Sequence, residues 1–280
     1  MALMLVLTVP VDDSDRASAM LWGRGVRAIE ERVPCHAEES RAHTRVELWT
    51  SVGDAEATDQ AVADLTTTWP CRIERVDDVA AQTCREHASP MWIGAELVVV
   101  PAWQHHEFAP SVSAVPIEPG GAFGLGDHPT TRLCLAALLE RDLDGRRVAD
   151  IGCGTGVLSV VAALRGAAWV RAVDVAHAAV AATRDNAIRN HVEGCIDVDD
   201  QPAQDVDGVY DVVLANILAP ELIALSDELR RLTAPDGRLV VSGILAGAHR
   251  HVLDALEPMR VLSTTTLDGW AAVTLVHATR

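Results

Sequence analysis

From residue 127 onward, short apolar runs alternate along the chain with longer segments in which apolar residues recur at helical spacing. The apolar runs are continuous, as in strands that are buried on both faces of a parallel sheet. This alternation predicts an α/β domain with a doubly wound, mostly parallel sheet covered by helices on both faces. The predicted strands are RRVADIG, AWVRAVDV, YDVVLAN, GRLVVSG and GWAAVTLVHA, and the predicted helices are TGVLSVVAALRG, HAAVAATRDNAIRN, APELIALSDELRRL and GAHRHVLDAL.

The first hundred residues have a different rhythm and predict a smaller α+β domain. Strand and helix patterns follow one another in the order βαββαβ, which is the ferredoxin-like plan. The predicted strands are Leu3–Val9, Val26–Val33, Thr44–Ser51 and Cys71–Val76, and the predicted helices are Asp15–Gly23 and Glu56–Thr67.

A proline-rich stretch separates these two parts of the chain. After a further predicted strand, Ile93–Val100, the sequence contains Pro101, Pro110 and Pro116, and prolines at this density interrupt regular structure and stiffen a connection. We therefore predict a recognition domain at residues 1–100, a linker at 101–118 and the larger α/β domain at 119–280.

Composition narrows the classes of function. The 280 residues are 49% hydrophobic, which is enough for a sizeable core. Acidic residues number 40 against 23 basic ones, all of them arginine, for a formal net charge of −17. This balance argues against a nucleic-acid partner, because neutralising phosphates requires a basic face. It suits a small-molecule site or a basic protein partner, and acidity that serves only solubility is the alternative.

The cysteines and the N-terminus indicate a cytoplasmic protein. The six cysteines lack a C-x-x-C spacing, so we expect reduced thiols rather than a disulfide or zinc framework. The N-terminal apolar run lacks the flanks of a signal peptide, and no apolar stretch is as long as a membrane span. We expect a monomer that binds neither a metal nor a membrane.

A glycine turn lies between the first predicted parallel strand and its helix. The sequence there is DIGCGTG, from Asp150 to Gly156, and glycines let a backbone turn tightly and approach a ligand at the carboxyl end of a strand. Its spacing, G-x-G-x-G, differs from the dinucleotide fingerprint G-x-G-x-x-G, which would need glycine at Val157, so an NAD-dependent oxidoreductase is disfavoured. Asp174 ends the next strand, where a carboxylate can accept hydrogen bonds from two ribose hydroxyls. The pattern is typical of S-adenosylmethionine (AdoMet) methyltransferases, and a tight turn beside an unrelated acid is the alternative.

A second polar position ends the predicted strand YDVVLAN, where Asn216 is followed at once by apolar residues. A buried amide costs free energy unless it is hydrogen-bonded. Asn216 either caps the helix that begins near Ala219, at a position where asparagine is favoured, or is held for a ligand.

Six motifs in combination resemble one enzyme family. They are PGGAFGLGDHPTT at 119–131, DIGCGTG at 150–156, TRDNA at 183–187, NILA at 216–219, SGIL at 242–245 and GW at 269–270. The chain resembles the bacterial methyltransferases that trimethylate amino groups of protein eleven of the large ribosomal subunit, least so in its first ninety residues. Two positions depart from the family pattern: Leu125 stands where a threonine is usual, and the run from Asp174 to His177 lacks the second acid of D-x-D-P.

The resemblance implies a Rossmann-like class I methyltransferase domain after the ferredoxin-like domain, with AdoMet as cofactor. It implies that Thr131 contacts the methionine end of AdoMet, Gly152 the carboxypropyl arm, Asp174 the ribose, and that Asn216 lies beside the transferred methyl. The full set of predicted cofactor-binding residues is Phe123, Gly124, His128, Thr130, Thr131, Asp150, Gly152, Gly154, Gly156, Asp174, Val175 and Asn216, and the predicted catalytic segment is Asn216, Ile217 and Leu218.

The chemistry favours a functional role for Asn216. Methyl transfer to lysine needs a neutral amine, whereas the ordinary lysine pKa is about 10.4, and a partly apolar pocket lowers it. The side-chain carbonyl of Asn216, with the backbone carbonyl beside it, can accept the N–H bonds of that amine without titrating. For His128 two roles stay open, a proton acceptor and a residue that fixes the H-P-T-T turn.

The resemblance implies that the enzyme methylates, and in the complete reaction trimethylates, lysine side-chain and N-terminal amines of that basic ribosomal protein. The N-terminal domain would recognise this substrate. A same-fold methyltransferase acting on another protein's lysine or on a small molecule is an alternative, because the N-terminal domain resembles the family least. A non-catalytic AdoMet-binding module is a second alternative.

Overall fold

A computed structural model of the chain describes residues 2–10, 13–22, 29–32, 45–50, 68–76, 89–119, 124 and 127–278. The chain forms two compact units, residues 1–87 and 88–280. The first unit contains β1 (Ala2–Pro10), α1 (Ser14–Trp22), β2 (Ile29–Arg32), β3 (Arg45–Thr50) and β4 (Cys71–Val76).

The strands of the first unit form an antiparallel sheet in the order β2-β3-β1-β4. Leu5, Leu7 and Val9 alternate along β1 and form one apolar cluster with Ala17 and Leu21 of α1. The strand order is that of the predicted ferredoxin-like plan. The second helix of that plan, predicted at 56–67, lies outside the described residues.

The second unit opens with a small sheet of β5 (Met91–Ile93), β6 (Leu97–Pro101) and β7 (Ser113–Ile117). The strand predicted as a single element at 93–100 is instead a hairpin, because Gly94 turns the chain at a φ of +65°. The predicted linker at 101–118 also differs: β7 pairs in parallel with β6, and Val115 and Ile117 are fully buried. Alternating apolar residues therefore pack this segment into the second unit despite its prolines.

A seven-stranded sheet forms the centre of the second unit. Its strands are β8 (Arg147–Ile151), β9 (Trp169–Val173), β10 (Ile196–Asp199), β11 (Tyr210–Asn216), β12 (Thr233–Leu245), β13 (Arg260–Leu267) and β14 (Trp270–Val276). Their order is β10-β9-β8-β11-β12-β14-β13, with β14 antiparallel to both neighbours and the other pairings parallel. The order reverses between β8 and β11, and ligands of open α/β sheets bind outside the carboxyl ends of the strands at such a reversal.

Six α-helices of the described residues belong to the second unit. They are α2 (Pro129–Leu139), α3 (Val157–Leu164), α4 (His177–Arg189), α5 (Ala219–Ala224), α6 (Ser226–Leu232) and α7 (Arg250–Ala255). The segment APELIALSDELRRL, predicted as one helix, breaks at Leu225 into α5 and α6. Leu222 of α5 and Leu229 of α6 are both fully buried.

Successive residues of the central strands face opposite sides of the sheet. Val148 of β8 and Val212 of β11 belong to one apolar cluster, whereas their neighbours Ala149 and Val213 belong to another. The first cluster includes residues of α2, α3 and α4, and the second includes residues of α5, α6 and α7. Burial on both faces explains why apolar residues occupy successive positions in these strands.

Candidate active site

The glycine turn follows β8 and leads into α3. Gly152, Gly154 and Gly156 have φ values of +78°, +56° and +76°, which side-chain-bearing residues rarely adopt. A Cβ built at Gly152 would collide with Ile217 Cγ2, which lies just beyond the end of β11. The spacing of the glycines therefore lets the ends of β8 and β11 pack directly against each other.

The N–H groups of this turn are largely occupied within the protein. Gly152 N and Cys153 N donate to Val173 O at 2.8 and 3.1 Å, and Gly156 N donates to Cys153 O at 2.8 Å. Gly154 N donates to Asp174 Oδ2 at 3.0 Å. These four groups are not directed at an anion, so the turn lacks the main feature of a pyrophosphate-binding loop.

Asp174 lies at the carboxyl end of β9 and accepts two backbone hydrogen bonds. Besides Gly154 N, Ala176 N donates to its other oxygen, Oδ1, at 2.9 Å. Each carboxylate oxygen has a second lone pair, so the group can still accept from a ligand hydroxyl. The next residue, Val175, is apolar and 80% exposed. A carboxylate beside an exposed apolar side chain suits a sugar that carries a flat base.

Asp150 lies beneath the turn and is fully buried. Its Oδ2 accepts from Ser159 Oγ at 2.6 Å, whereas its Oδ1 has no partner among the described residues. Burial, together with the negative charge of Asp174, raises the pKa of Asp150 to about 6, although the hydrogen bond from Ser159 works in the opposite direction. A buried acceptor without a partner is rare in folded proteins, and it marks a position where a ligand donor or a water can bind.

Asn216 ends β11, in register with Ser242 of β12. Its Nδ2 lies 3.5 Å from Thr131 Oγ1, a long hydrogen bond that joins β11 to α2. The N-cap of α5 is Leu218, and no side chain caps that helix, so Asn216 does not serve as its cap. The described residues give the Oδ1 of Asn216 no hydrogen bond, which leaves this oxygen to accept from a ligand.

Ile217 and Leu218 follow Asn216 across the end of the sheet. Gly243 has a φ of +86°, and a Cβ there would come within 2.7 Å of the carbonyl carbon of Ile217. The glycine of the S-G-I-L motif thus lets β12 lie close to the Ile217 backbone. Leu218 is 40% exposed and adds an apolar surface beside Asn216.

His128 is the N-cap of α2. Its Nδ1 accepts from Thr130 N at 3.3 Å and lies 2.8 Å from Thr130 Oγ1, and its ring meets that of Trp270 edge-on at 5.1 Å. Burial lowers the pKa of His128, which favours the neutral ring that can accept a backbone N–H. These contacts support a role in fixing the turn rather than in accepting a proton.

The structure brings the predicted residues it describes to one edge of the sheet, at the carboxyl ends of β8, β9 and β11. Gly124 joins them because Thr155 Oγ1 donates to its carbonyl oxygen at 2.5 Å. Phe123 and Leu125 lie outside the described residues. Thr183 and Asn186, which lie in the TRDNA motif and had no predicted role, also contact the turn. Their signal in the sequence is a pair of polar residues on the otherwise apolar face of α4.

The described residues also bear on metal and thiol chemistry. No three His, Cys, Asp or Glu side chains of that part of the chain are grouped as metal ligands. Cys153 in the glycine turn is buried, which raises the pKa of its thiol, and its Sγ lies 3.3 Å from Thr183 Oγ1. None of the described helices is both long and apolar enough to cross a membrane.

Comparison with known proteins identifies relatives along most of the chain. Residues 27–278 match the family model described as ribosomal protein L11 methyltransferase (PrmA), a span that includes all predicted site residues. The chain is 42% identical over 219 residues to the ribosomal protein L11 methyltransferase of Marinobacter nauticus, covering 77% of this chain and 71% of that protein. It is 39% identical over 211 residues to that of Azotobacter vinelandii, covering 72% and 70%.

A solved structure also matches. The crystal structure of a ribosomal protein L11 methylase from Lactobacillus delbrueckii subsp. bulgaricus aligns with a TM-score of 0.63 and 27% sequence identity. The alignment covers 67% of this chain and 98% of that chain.

Proposed function

The chain belongs to the ribosomal protein L11 methyltransferase family, and on that basis we propose that it is an AdoMet-dependent methyltransferase that acts on ribosomal protein L11. The observation that carries the proposal is the edge of the seven-stranded sheet. There the glycine turn, Asp174 and Asn216 meet where the strand order reverses.

The residues at this edge fit AdoMet. Asp174 accepts the ribose hydroxyls, and the exposed Val175 offers an apolar surface to the adenine. Gly152 allows the backbone to approach the carboxypropyl arm, and the unpartnered Oδ1 of Asp150 can accept from the amino group of the methionine end, directly or through water. Thr131, which lies beside Asn216, completes this end of the site. AdoMet supplies a methyl group already activated on a sulfonium, so the protein has mainly to position and desolvate the acceptor amine.

Asn216 is the residue that orients the amine. Its Oδ1 and the neighbouring backbone carbonyl accept the amine N–H bonds and so direct the nitrogen lone pair. The exposed apolar side chain of Leu218 disfavours the ammonium form of the substrate, which lowers its pKa. A carboxylate at position 216 would do the opposite, since it would stabilise the ammonium.

Several finer properties belong to the same proposal. The enzyme trimethylates lysine side-chain and N-terminal amines, and its first unit recognises the substrate. It is a cytoplasmic monomer that does not bind nucleic acid. The net charge of −17 supports a basic protein as partner. The chain contains no lysine, so its own side chains do not compete as lysine substrates.

The test combines purified protein, AdoMet and recombinant ribosomal protein L11, read by intact mass. Wild type should add mass in steps of about 14 Da per methyl. Asn216→Ala should slow the reaction about 100-fold while weakening AdoMet binding about tenfold at most. Asn216→Asp should also be slow at neutral pH and recover part of its rate as the pH rises, because more of the amine is then neutral. Arg260→Ala, an exposed change at the opposite end of the sheet, is the control and should react like wild type.

The outcomes separate the alternatives. AdoMet binding without any added mass on ribosomal protein L11 would move the substrate to another protein or a small molecule. An Asn216→Ala variant that methylates at the wild-type rate would remove Asn216 from the mechanism. NADH binding in the absence of AdoMet binding would overturn the proposal entirely.

A further inference from the structure

Helix α4 presents two buried polar side chains to the glycine turn. Thr183 and Asn186 are both 0% exposed although both are polar, because they lie on the face of the helix that packs against the sheet. Thr183 Oγ1 donates to Gly154 O at 3.0 Å, and Asn186 Nδ2 donates to Thr155 O at 2.9 Å. Two successive carbonyls of the turn are therefore held from the side of α4.

Asn186 makes a second set of contacts, with Glu118 just after β7. Its Nδ2 donates to Glu118 O at 2.8 Å, and its Oδ1 accepts from Glu118 N at 2.9 Å. One side-chain amide thus satisfies both backbone groups of a residue 68 positions away in sequence. With the bond to Thr155 O, both N–H donors of Asn186 are used.

Glu118 begins the segment that connects β7 to α2, and this segment carries several predicted cofactor contacts. Within it, Gly124 O accepts from Thr155 Oγ1 at 2.5 Å. The carbonyl of Thr155 is therefore hydrogen-bonded to Asn186, and the hydroxyl of Thr155 is hydrogen-bonded to Gly124. Glu118, Gly124 and the glycine turn therefore belong to one hydrogen-bonded unit.

We propose that Asn186 is a positioning residue that sets the AdoMet affinity of the site by fixing Glu118, at the start of the β7–α2 segment, in register with the glycine turn. This inference rests on the proposed function and extends it to a residue that contacts the two AdoMet-binding segments rather than the cofactor. An amide is required because the position needs two donors and one acceptor at once. Aspartate has the same shape but no donors, and it would place negative charge against the carbonyls of Glu118 and Thr155.

The same helix supplies a matched control. Asn190 lies one turn after Asn186, is 9% exposed, and donates through Nδ2 to Pro116 O at 2.9 Å. It therefore also docks α4 on β7, but its other side-chain hydrogen bond goes to Asn186 O at 2.9 Å and not to the glycine turn. If Asn186 only docked the helix, substitutions at Asn186 and Asn190 would have equal effects on AdoMet affinity.

The experiment compares wild type, Asn186→Asp and Asn190→Asp by AdoMet titration calorimetry and by steady-state methylation of ribosomal protein L11. Asn186→Asp should raise the AdoMet Kd and the KM for AdoMet about tenfold or more. Its kcat at saturating AdoMet and its KM for ribosomal protein L11 should change less than about threefold, because the reacting groups stay in place. Asn190→Asp should leave the AdoMet Kd within about twofold of wild type, even if it lowers Tm.

Asn186→Gln keeps the donors and the acceptor on a longer side chain, and it is the second variant if Asn186→Asp does not fold. It should fold and still raise the AdoMet Kd, with the same split between KM for AdoMet and kcat. Equal AdoMet Kd values for wild type and whichever Asn186 variant folds, or equal effects of the Asn186 and Asn190 changes, would overturn the inference and leave the proposed function standing. Failure of the wild type to bind AdoMet would overturn both.

Discussion

Replacing Gly152 with alanine tests how closely the ends of β8 and β11 are packed. Gly152 has a φ of +78°, and a Cβ built there collides with Ile217 Cγ2, whereas Ile217 Cβ stays at 3.9 Å. The left-handed conformation costs an alanine about 1–2 kcal/mol, and an extra methyl forced into a packed site costs about 1–3 kcal/mol more. We therefore expect Gly152→Ala to lower the free energy of unfolding by about 2–5 kcal/mol.

Gly145, just before β8 begins, is the matched control for backbone conformation. Its φ is +70°, and a Cβ there has nothing within 4 Å. Gly145→Ala should lose only the conformational part, about 1–2 kcal/mol. The difference between the two variants measures the steric contact with Ile217.

A double-mutant cycle then assigns that difference to one side chain. Ile217→Ala removes the Cγ2 atom that the new methyl group meets, so Gly152→Ala should cost about 1–3 kcal/mol less in this background than in wild type. The assay is urea unfolding followed by far-UV circular dichroism, with any separate transition of the first unit fitted apart. A cost for Gly152→Ala no larger than that for Gly145→Ala would refute the reasoning, as would the same cost with and without the Ile217 side chain.

Three further changes have expected outcomes of their own. Asp174→Asn replaces an oxygen that accepts a backbone N–H with a donor, so calorimetry should show an AdoMet Kd about tenfold or more above wild type; an unchanged Kd would contradict the ribose role. Burial raises the pKa of Asp150 to about 6, so the stability linked to its protonation is present below the unfolded pKa and lost as pH rises through about 6. The unfolding free energy of wild type relative to Asp150→Asn should therefore fall by about 2 kcal/mol between about pH 4 and 6.5, and a flat difference would refute this. Arg171→Leu removes a guanidinium whose Nη2 lies 2.7 Å from Asp199 Oδ2. We expect the free energy of unfolding in urea to fall by only about 1–2 kcal/mol, because the partly exposed Asp199 can be solvated once its partner is lost. Arg171→Leu in an Asp199→Asn background should cost less.

The strands that are buried on both faces of the central sheet could be predicted from the sequence, because their apolar residues are neighbours along the chain. β8, β9, β11 and β12 carry apolar residues at successive positions because neighbouring residues belong to the two opposite clusters. β10 and β13 lack this signal, since they lie at the sheet edges and their polar side chains are exposed. The break at Leu225 also has no local signal, because neither glycine nor proline lies next to it in the sequence.

The candidate site divides in the same way. Asp174 and Asn216 could be predicted because each is a polar residue at the end of an apolar strand, where ligands of parallel sheets bind. The role of Asn186 could not, since it depends on contacts with Glu118 and Thr155 that only the folded chain brings together. The packing of the proline-rich segment against α4 was missed for the same reason, because Asn190 reaches Pro116 across the fold.

The hydrogen bonds of the glycine turn indicate which polar groups of the site are already paired and which can bind a ligand. Its N–H groups are held by Val173, Asp174 and the turn itself, and its carbonyls at 154 and 155 are held by α4. A turn fixed on both sides needs little ordering when a ligand arrives, which lowers the entropic cost of binding. The acceptors without a hydrogen bond among the described residues of the site include Asp150 Oδ1 and Asn216 Oδ1. AdoMet and the substrate amine should therefore gain directional contacts at these two oxygens in addition to those at the Asp174 carboxylate. Substitutions at these positions should alter binding and rate, whereas substitutions behind the turn, as at Asn186, should alter affinity alone.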